Sequence, residues 1–120
     1  MADLANYRIR KITSSGEVST PAGSILGYAN GTGTAAEFTT PIAVALDSNS
    51  NVYVADNHSI RKITTAGEVS TLAGGDTGGY ADGVTTDATF LRAAGVAVDA
   101  SGNVYVTDEL DNRIRKITIP

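Results

Sequence analysis

The stretch PIAVALDSNSNVYVADNHSIRKI at residues 41–63 returns as AAGVAVDASGNVYVTDELDNRIRKI at residues 93–117. The phrase Ile-Arg-Lys-Ile-Thr occurs three times, beginning at Ile9, Ile60 and Ile114. Further matching pairs are residues 16–20 with 67–71, residues 27–31 with 79–83, and Phe38 with Phe90. Because chance does not align so many matches, the chain consists of about two and a third copies of a roughly 52-residue repeat.

Each complete repeat is predicted to contain four short antiparallel strands. Apolar, β-branched runs place them at residues 42–46, 52–55, 60–64 and 68–72, and again at 95–98, 104–107 and 114–118. Asp, Asn, Ser and Gly fill residues 47–51 and 99–103, as is typical of hairpin turns that need a positive φ. A long Gly-rich crossing then leads to the next repeat, so the sequence indicates an all-β protein.

The apolar pattern indicates that both faces of each small sheet are covered. Ile60 and Ile63 are three residues apart, so they point to opposite faces of one strand. Val44 lies on one face of the first strand and the small residues Ala43 and Ala45 on the other. Four-stranded blades packed between two neighbours, as in a β-propeller, fit this pattern. A β-solenoid is the main competing architecture.

These residues resemble the NHL-repeat β-propellers across essentially the whole chain. The resemblance rests on the phrase at residues 96–106, on Asp108 and on residues 112–117, while Asn57-His58 is similar to the tract that gives the family its name. It implies a propeller fold and says little about activity. We divide the chain into a partial blade with its inter-blade loop at 1–38, a complete blade with its loop at 39–90, and a partial blade at 91–120.

Two blades and a third cannot close a ring, because a propeller needs about four to eight. We therefore expect closure by homo-oligomerisation, with six blades from three chains favoured and eight from four possible. A piece of a longer propeller is the alternative. Residues 9–13 and 114–118 are both third strands, so one copy is expected to be displaced or added at an edge. The predicted assembly interface consists of Ile9, Ile12, Val18, Val96, Val98, Val104, Val106, Ile114 and Ile117.

Composition excludes several kinds of site and partner. The chain has no cysteine, hence no disulfide or thiolate site, and no apolar run approaches the 18 or so residues of a membrane span. We expect no signal peptide, because the N-terminus lacks a basic segment followed by an apolar one. A net charge of -4 argues against a nucleic-acid partner. The absence of cysteine is compatible with either an oxidising or a reducing cellular compartment.

The remaining chemistry predicts no catalytic residue, metal ligand or cofactor. His58 is the only histidine, and a metal site needs several ligands. The Gly- and Asp-rich crossing at 74–83 lacks the bidentate glutamate of a calcium loop. We read it as an inter-blade loop pinned by aromatic residues. Residues predicted to face a ligand from the loops are His58, Tyr28, Tyr80 and Asp82.

Eight of the nine basic residues lie in or beside third strands, where acidic turns adjoin them. Because no aromatic residues interleave with them for base stacking, local ion pairs are the favoured interpretation. The function expected from the sequence is that of a self-assembling binding scaffold, not an enzyme. The alternatives are a model of propeller evolution or design, a protein- or peptide-binding module, an RNA-binding module, and a propeller lyase or lactonase.

Overall fold

A computed structural model of the 120-residue chain describes residues 1–79 and 81–118. Eleven strands and four short 3-10 helices, and no α-helix, occur in this part of the chain. The strands are β1 (Ala2–Asp3), β2 (Arg8–Ile12), β3 (Val18–Gly23), β4 (Gly31–Thr32), β5 (Pro41–Leu46), β6 (Val52–Asp56), β7 (Ser59–Ile63), β8 (Glu68–Gly74), β9 (Ala93–Val98), β10 (Val104–Asp108) and β11 (Arg113–Ile117). The 3-10 helices span Leu4–Asn6, Gly33–Ala35, Thr85–Asp87 and Glu109–Asp111.

The strands form three antiparallel sheets, as the all-β prediction requires. The first sheet has the order β1-β2-β3, and the third sheet has the order β11-β10-β9. The central sheet has the order β4-β8-β7-β6-β5, so the four strands predicted for the complete repeat lie side by side in chain order.

The central sheet differs from the prediction by one added strand. β4 lies in the crossing between repeats and pairs with the outer edge of β8, Gly31 with Val69 and Thr32 with Glu68. A strand of only two residues is too short to give an alternating pattern, so the sequence offered no sign of it. The sheet therefore has five strands where four were expected.

Asp47 shapes the hairpin turn between β5 and β6. Its Oδ1 accepts hydrogen bonds from the backbone amides of Asn49 and Asn51, at 2.9 and 3.0 Å. Ser50 has a φ of 66°, a left-handed conformation that short polar residues and glycine reach most easily. The matching turn in the third sheet places Gly102 there, at a φ of 88°. The predicted turns are thus present in both repeats.

Two apolar clusters separate the three sheets. One contains Ile60 with Phe90 and Val106 between the central and third sheets, and the other contains Ile63 with Phe38 between the first and central sheets. The strand that carries both isoleucines therefore buries one on each face, as predicted. The central sheet is the only one of the three described sheets that has a neighbour on both sides.

Candidate assembly interface

The outer face of the first sheet carries apolar side chains that are uncovered. Ile12 and Val18 are 56% and 50% exposed. Their repeat equivalents in the central sheet, Ile63 and Val69, are 2% and 4% exposed because the first sheet packs on them. The side chain at each position is the same in both sheets, so the difference in burial comes from the neighbour alone.

The outer face of the third sheet shows the same difference. Tyr105 is 38% exposed, whereas its central equivalent Tyr53 is 3% exposed. Ile114 is 70% exposed, whereas Ile60 is fully buried against the third sheet. Two large apolar side chains exposed on one face make it a candidate interaction surface.

A groove runs along the free edge of β11. In the central sheet β7 pairs with β8, and β8 in turn pairs with β4. In the third sheet, the described residues supply no strand beyond β11, and the groove beside it has a volume of about 670 Å³. Gly83 and Val84, the equivalents of β4, line its far side, and Phe90 and Ile117 also line it. The groove thus lies where a fourth strand would lie.

A second groove, of about 490 Å³, opens between the first and central sheets. β1 pairs with β2 at Ile9 and Arg8, and Met1 exchanges backbone hydrogen bonds with Arg10. Among the described residues, the rest of this edge of β2 has no partner strand. The groove is lined on one side by Ile9 and Lys11 and on the other by Val44 and Val52. The groove lies where the first and second strands of a complete repeat would lie, and the first sheet lacks these strands.

A buried ion pair holds the central sheet to the crossing that precedes it. Arg61 and Asp56 have fully buried side chains, and Arg61 Nη1 lies 3.1 Å from Asp56 Oδ2. The guanidinium carbon lies 4.8 Å from the ring centroid of Tyr28 and 4.9 Å from that of Phe38. Cation–π contact with two rings stabilises a cation that burial would otherwise destabilise. We call this arrangement of Arg61 with its partners the central arginine cage.

Oxygen atoms of the crossing complete the central arginine cage. Nη2 of Arg61 donates to the carbonyl oxygen of Ala29 at 2.7 Å and to Asn30 Oδ1 at 2.9 Å, and Nη1 donates to the carbonyl oxygen of Glu37 at 2.9 Å. Asp56 Oδ1 accepts from the backbone amide of Thr40 at 2.6 Å. The ion pair therefore ties the crossing to the sheet at several points.

Burial dominates the electrostatics of this pair. It raises the pKa of Asp56, although the Thr40 amide and Arg61 act in the opposite direction. Burial likewise lowers the pKa of Arg61, against the attraction of Asp56. Removing either partner would leave the other charge buried without a counter-charge.

The third sheet contains an equivalent arrangement around Arg115, which we call the third-sheet cage. Arg115 Nη2 lies 2.7 Å from Asp82 Oδ1, and its Nη1 lies 3.5 Å from Asp108 Oδ2. The guanidinium carbon lies 5.0 Å from the Phe90 ring centroid. Asp108 also accepts from the backbone amides of Leu91 and Arg92, at 3.1 and 2.9 Å. Residues 81–92 of the crossing thus surround Arg115 as the crossing at 27–40 surrounds Arg61.

The first sheet carries the same arginine without the cage. Arg10 Nη1 lies 3.4 Å from Asp3 Oδ2, and the two side chains are 30% and 19% exposed. Among the described residues, no crossing supplies carbonyl oxygens or an aromatic ring to this guanidinium. The ion pairs predicted beside the third strands are present. Their burial was missed, because it depends on a crossing folding back over the strand.

The structure divides the predicted interface residues between the two sides of the sheets. Ile12, Val18 and Ile114 lie on outer faces. The others face the interior of the single chain: Ile9, Val104 and Val106 are buried in the apolar clusters, and Val96, Val98 and Ile117 pack against one of them. Tyr105, on the outer face, was not predicted. Its equivalence to Tyr53 is the signal that would have found it.

The predicted ligand-facing residues make contacts within the chain. His58 Nδ1 lies 3.1 Å from the carbonyl oxygen of Leu91, and Tyr28 Oη lies 2.6 Å from Thr71 Oγ1. Asp82 belongs to the third-sheet cage and is 78% exposed at its side chain. Tyr80 lies outside the described residues.

Two further features are absent from the described part of the chain. Residues 1–79 and 81–118 contain no group of three His, Cys, Asp or Glu side chains that could hold a metal ion. The same residues contain no helix that is long and apolar enough to cross a membrane.

The NHL repeat family matches residues 90–117, which run from Phe90 of the third-sheet cage through β9, β10 and β11. Residues 90–117 are thus similar to an NHL repeat. The resemblance inferred from the phrases at 96–106 and 112–117 is thereby confirmed. In the structure, the matched segment includes Asp108 and Arg115. Its polar core is the buried ion pair between them, and its apolar core is the cluster against the central sheet.

Proteins similar to this chain are much longer than it. The Arabidopsis thaliana chloroplastic protein SUPPRESSOR OF QUENCHING 1 is 32% identical over 82 residues, which are 66% of this chain and 8% of that protein. A Bacteroides thetaiotaomicron protein of unknown function has a solved structure 29% identical, with a TM-score of 0.86 over 97% of this chain and 31% of its own. An auxiliary nutrient binding protein of the same species is 25% identical, with a TM-score of 0.79 over 94% and 33%.

Proposed function

We propose that the chain is a self-assembling NHL-type scaffold, in which copies join through their outer sheets to complete a β-propeller. The observation that carries this proposal is the burial difference between equivalent positions. Ile63 is 2% exposed and Ile12 is 56% exposed, although the same repeat places both. This apolar face is buried in the sheet on which a neighbouring repeat packs. Where no repeat of the same chain packs on it, we expect a repeat of another copy to do so.

A second copy of this chain is the occupant that fits both grooves. The position that corresponds to the groove beside β11 is filled in the central sheet by β8. β3 repeats five of its residues, since Val18-Ser19-Thr20 and Ala22-Gly23 match residues 69–71 and 73–74. In the other direction, β9 and β10 of one copy would provide the first and second strands that the first sheet of the next copy lacks. Each copy thus supplies what its neighbour needs.

Three copies give the ring size that we favour. The matched part is 31% and 33% of the two solved chains, so three copies match the length of one such chain. Six blades also lie within the range of about four to eight that closes a propeller. Four copies would give eight blades and the same kind of interface.

The completed ring would act as a binding surface formed by the repeated loops. Loops placed around one axis by rigid blades suit recognition of a protein or peptide. A similar solved structure is that of an auxiliary nutrient binding protein, which supports a binding role. We propose no cofactor, no membrane partner and no nucleic-acid partner.

The test compares the solution mass of three proteins over the same concentrations. Ile12→Asp combined with Val18→Asp places two charges on the outer face of the first sheet and should leave a monomer. Ile25→Asp is the matched control, because Ile25 is 61% exposed on the crossing and not on that face. It should keep the oligomeric mass of the unmodified chain. An unchanged oligomer in the double variant would overturn the proposal, as would an unmodified chain that stays monomeric throughout.

A further inference from the structure

We propose that assembly exchanges two arginines, so that Arg10 of one copy enters the third-sheet cage of its neighbour and replaces Arg115 there. This inference rests on the proposed function and specifies the residues that exchange. In the single chain, β11 occupies the third-strand position of the third sheet. We propose that it leaves this position when the hairpin of β2 and β3 from another copy docks there.

The two segments that would exchange have the same length and backbone. Residues 3–12 and 108–117 each run from an aspartate through a 3-10 helix to Ile-Arg-Lys-Ile. A left-handed residue follows each helix, Tyr7 at a φ of 57° and Asn112 at 56°. The central repeat is two residues shorter between Asp56 and Arg61. The first segment is therefore a structural copy of the one that already occupies the third sheet.

The hairpin of β2 and β3 can move as a unit. Its register, Ile9 with Ala22 and Ile12 with Val18, is that of β7 and β8, including the bulge at the same place. Docking this hairpin on β10 of a neighbour would give four strands in chain order. Adding β3 alone to β11 would require breaking all of its pairs with β2, which an exchange of β2 for β11 avoids.

The exchange would give Arg10 the partners that it lacks. In the single chain its guanidinium pairs with Asp3 at 3.4 Å on a partly exposed surface. In the third-sheet cage it would meet Asp108, Asp82 and the carbonyl oxygens of Ala81 and Thr89, which Arg115 contacts at 2.7 to 3.5 Å. Charge-assisted hydrogen bonds are the stronger ones, especially where water is excluded.

The same exchange would require two displacements. β1 would leave β2, which would break the pairs of Ala2 with Ile9 and of Asp3 with Arg8, together with the two backbone hydrogen bonds between Met1 and Arg10. β11 would leave β10, which would expose the Arg115 side chain and free the backbone at Arg113, Arg115 and Lys116 from the sheet. Because Arg10 and Arg115 compete for one cage, removing them should have opposite effects on assembly.

The first experiment measures the midpoint concentration of assembly for Arg10→Ala and Arg115→Ala. Arg10→Ala should raise the midpoint about tenfold or more, because the cage then holds an unpaired Asp108 in the assembled form. Arg115→Ala should lower it, because the internal competitor is lost. Glu17→Ala removes an exposed charge from the turn between β2 and β3 and should leave the midpoint unchanged. The opposite order of the two arginine variants would overturn the inference.

A second measurement uses the unmodified oligomer and does not depend on a variant folding. Limited digestion with trypsin should cut first after Arg113, Arg115 and Lys116, because β11 is displaced. Early cuts after Arg8, Arg10 and Lys11 would show that β2 is the displaced copy and would overturn the inference. If every protein stays monomeric at all concentrations, the proposed assembly itself has failed. An oligomer cut in β2 would refute the exchange alone.

Discussion

The central sheet and the two outer sheets carry nearly the same side chains in different surroundings. The central sheet buries Ile60 on one face and Ile63 on the other, whereas the third sheet leaves Ile114 70% exposed and the first sheet leaves Ile12 56% exposed. Local sequence makes the strands in all three sheets. Coverage by a neighbouring sheet decides whether their apolar faces become core or surface.

The arginines give the same comparison for a buried charge. Arg61 has a fully buried side chain inside a crossing that supplies rings and oxygen atoms, whereas Arg10 is 30% exposed with one carboxylate beside it. A guanidinium at this strand position is therefore compatible with both burial and exposure. The crossing, and not the strand, makes it part of the core.

The largest difference is expected between Arg61→Ala and Arg10→Ala in the monomeric chain. Arg61→Ala leaves Asp56 buried without its cation, which should lower the free energy of unfolding by about 3–5 kcal/mol. Arg10→Ala removes a partly exposed pair and should cost less than about 1 kcal/mol. Urea unfolding at a concentration below that of assembly measures both. Equal losses would remove the distinction between the caged and the uncaged arginine.

A smaller difference is expected between Ile63→Ala and Ile12→Ala. Ile63 is packed between two sheets, so its truncation should cost about 2–4 kcal/mol in the monomer. Ile12 is on the surface, and its truncation should change the stability by about 0.5 kcal/mol or less. The same unfolding experiment at high protein concentration sharpens the test. There the loss in Ile12→Ala should grow toward that of Ile63→Ala, and a loss independent of concentration would contradict coverage by another copy.

The smallest expected effect concerns Tyr53, which is buried where Tyr105 is exposed. Burial, reinforced by a hydrogen bond to Asp47, raises the pKa of Tyr53 to about 12. Because the folded pKa exceeds the unfolded value of about 10, Tyr53 contributes stability below pH 10 that is lost between about pH 10 and 12. The free energy of unfolding should therefore fall less across this window in Tyr53→Phe than in the unmodified chain. Parallel curves would show that Tyr53 ionises normally.

The strands and their turns could be predicted because their signals are local. Alternating apolar residues fixed the strands, and the Asp and Asn residues of 47–51 fixed the turn that Asp47 caps. The fourth strand runs two residues further than predicted, to Gly74, since Ala73 and Gly74 carry no strong strand preference.

The arginine cages and the faces of the interface could not be predicted from local patterns. The cage of Arg61 depends on Ala29, about thirty residues earlier in the chain, reaching the strand with its carbonyl oxygen. The predicted interface mixed Val104, which is buried in the single chain, with Ile114, which is exposed, because face assignment requires the register between strands. The repeat itself carried the missing information, since each exposed residue has a buried equivalent in the central sheet.

The most direct test of the account is the solution mass of the unmodified chain, measured by light scattering behind size exclusion over a range of concentrations. Coverage of the outer faces by other copies predicts a closed oligomer with three times the mass of the chain, in equilibrium with monomer on dilution. A tetramer would agree with closure of the ring by association and would change the predicted number of blades from six to eight. A monomer at every concentration would contradict the account and show that the outer faces of the first and third sheets are not covered by copies of this chain.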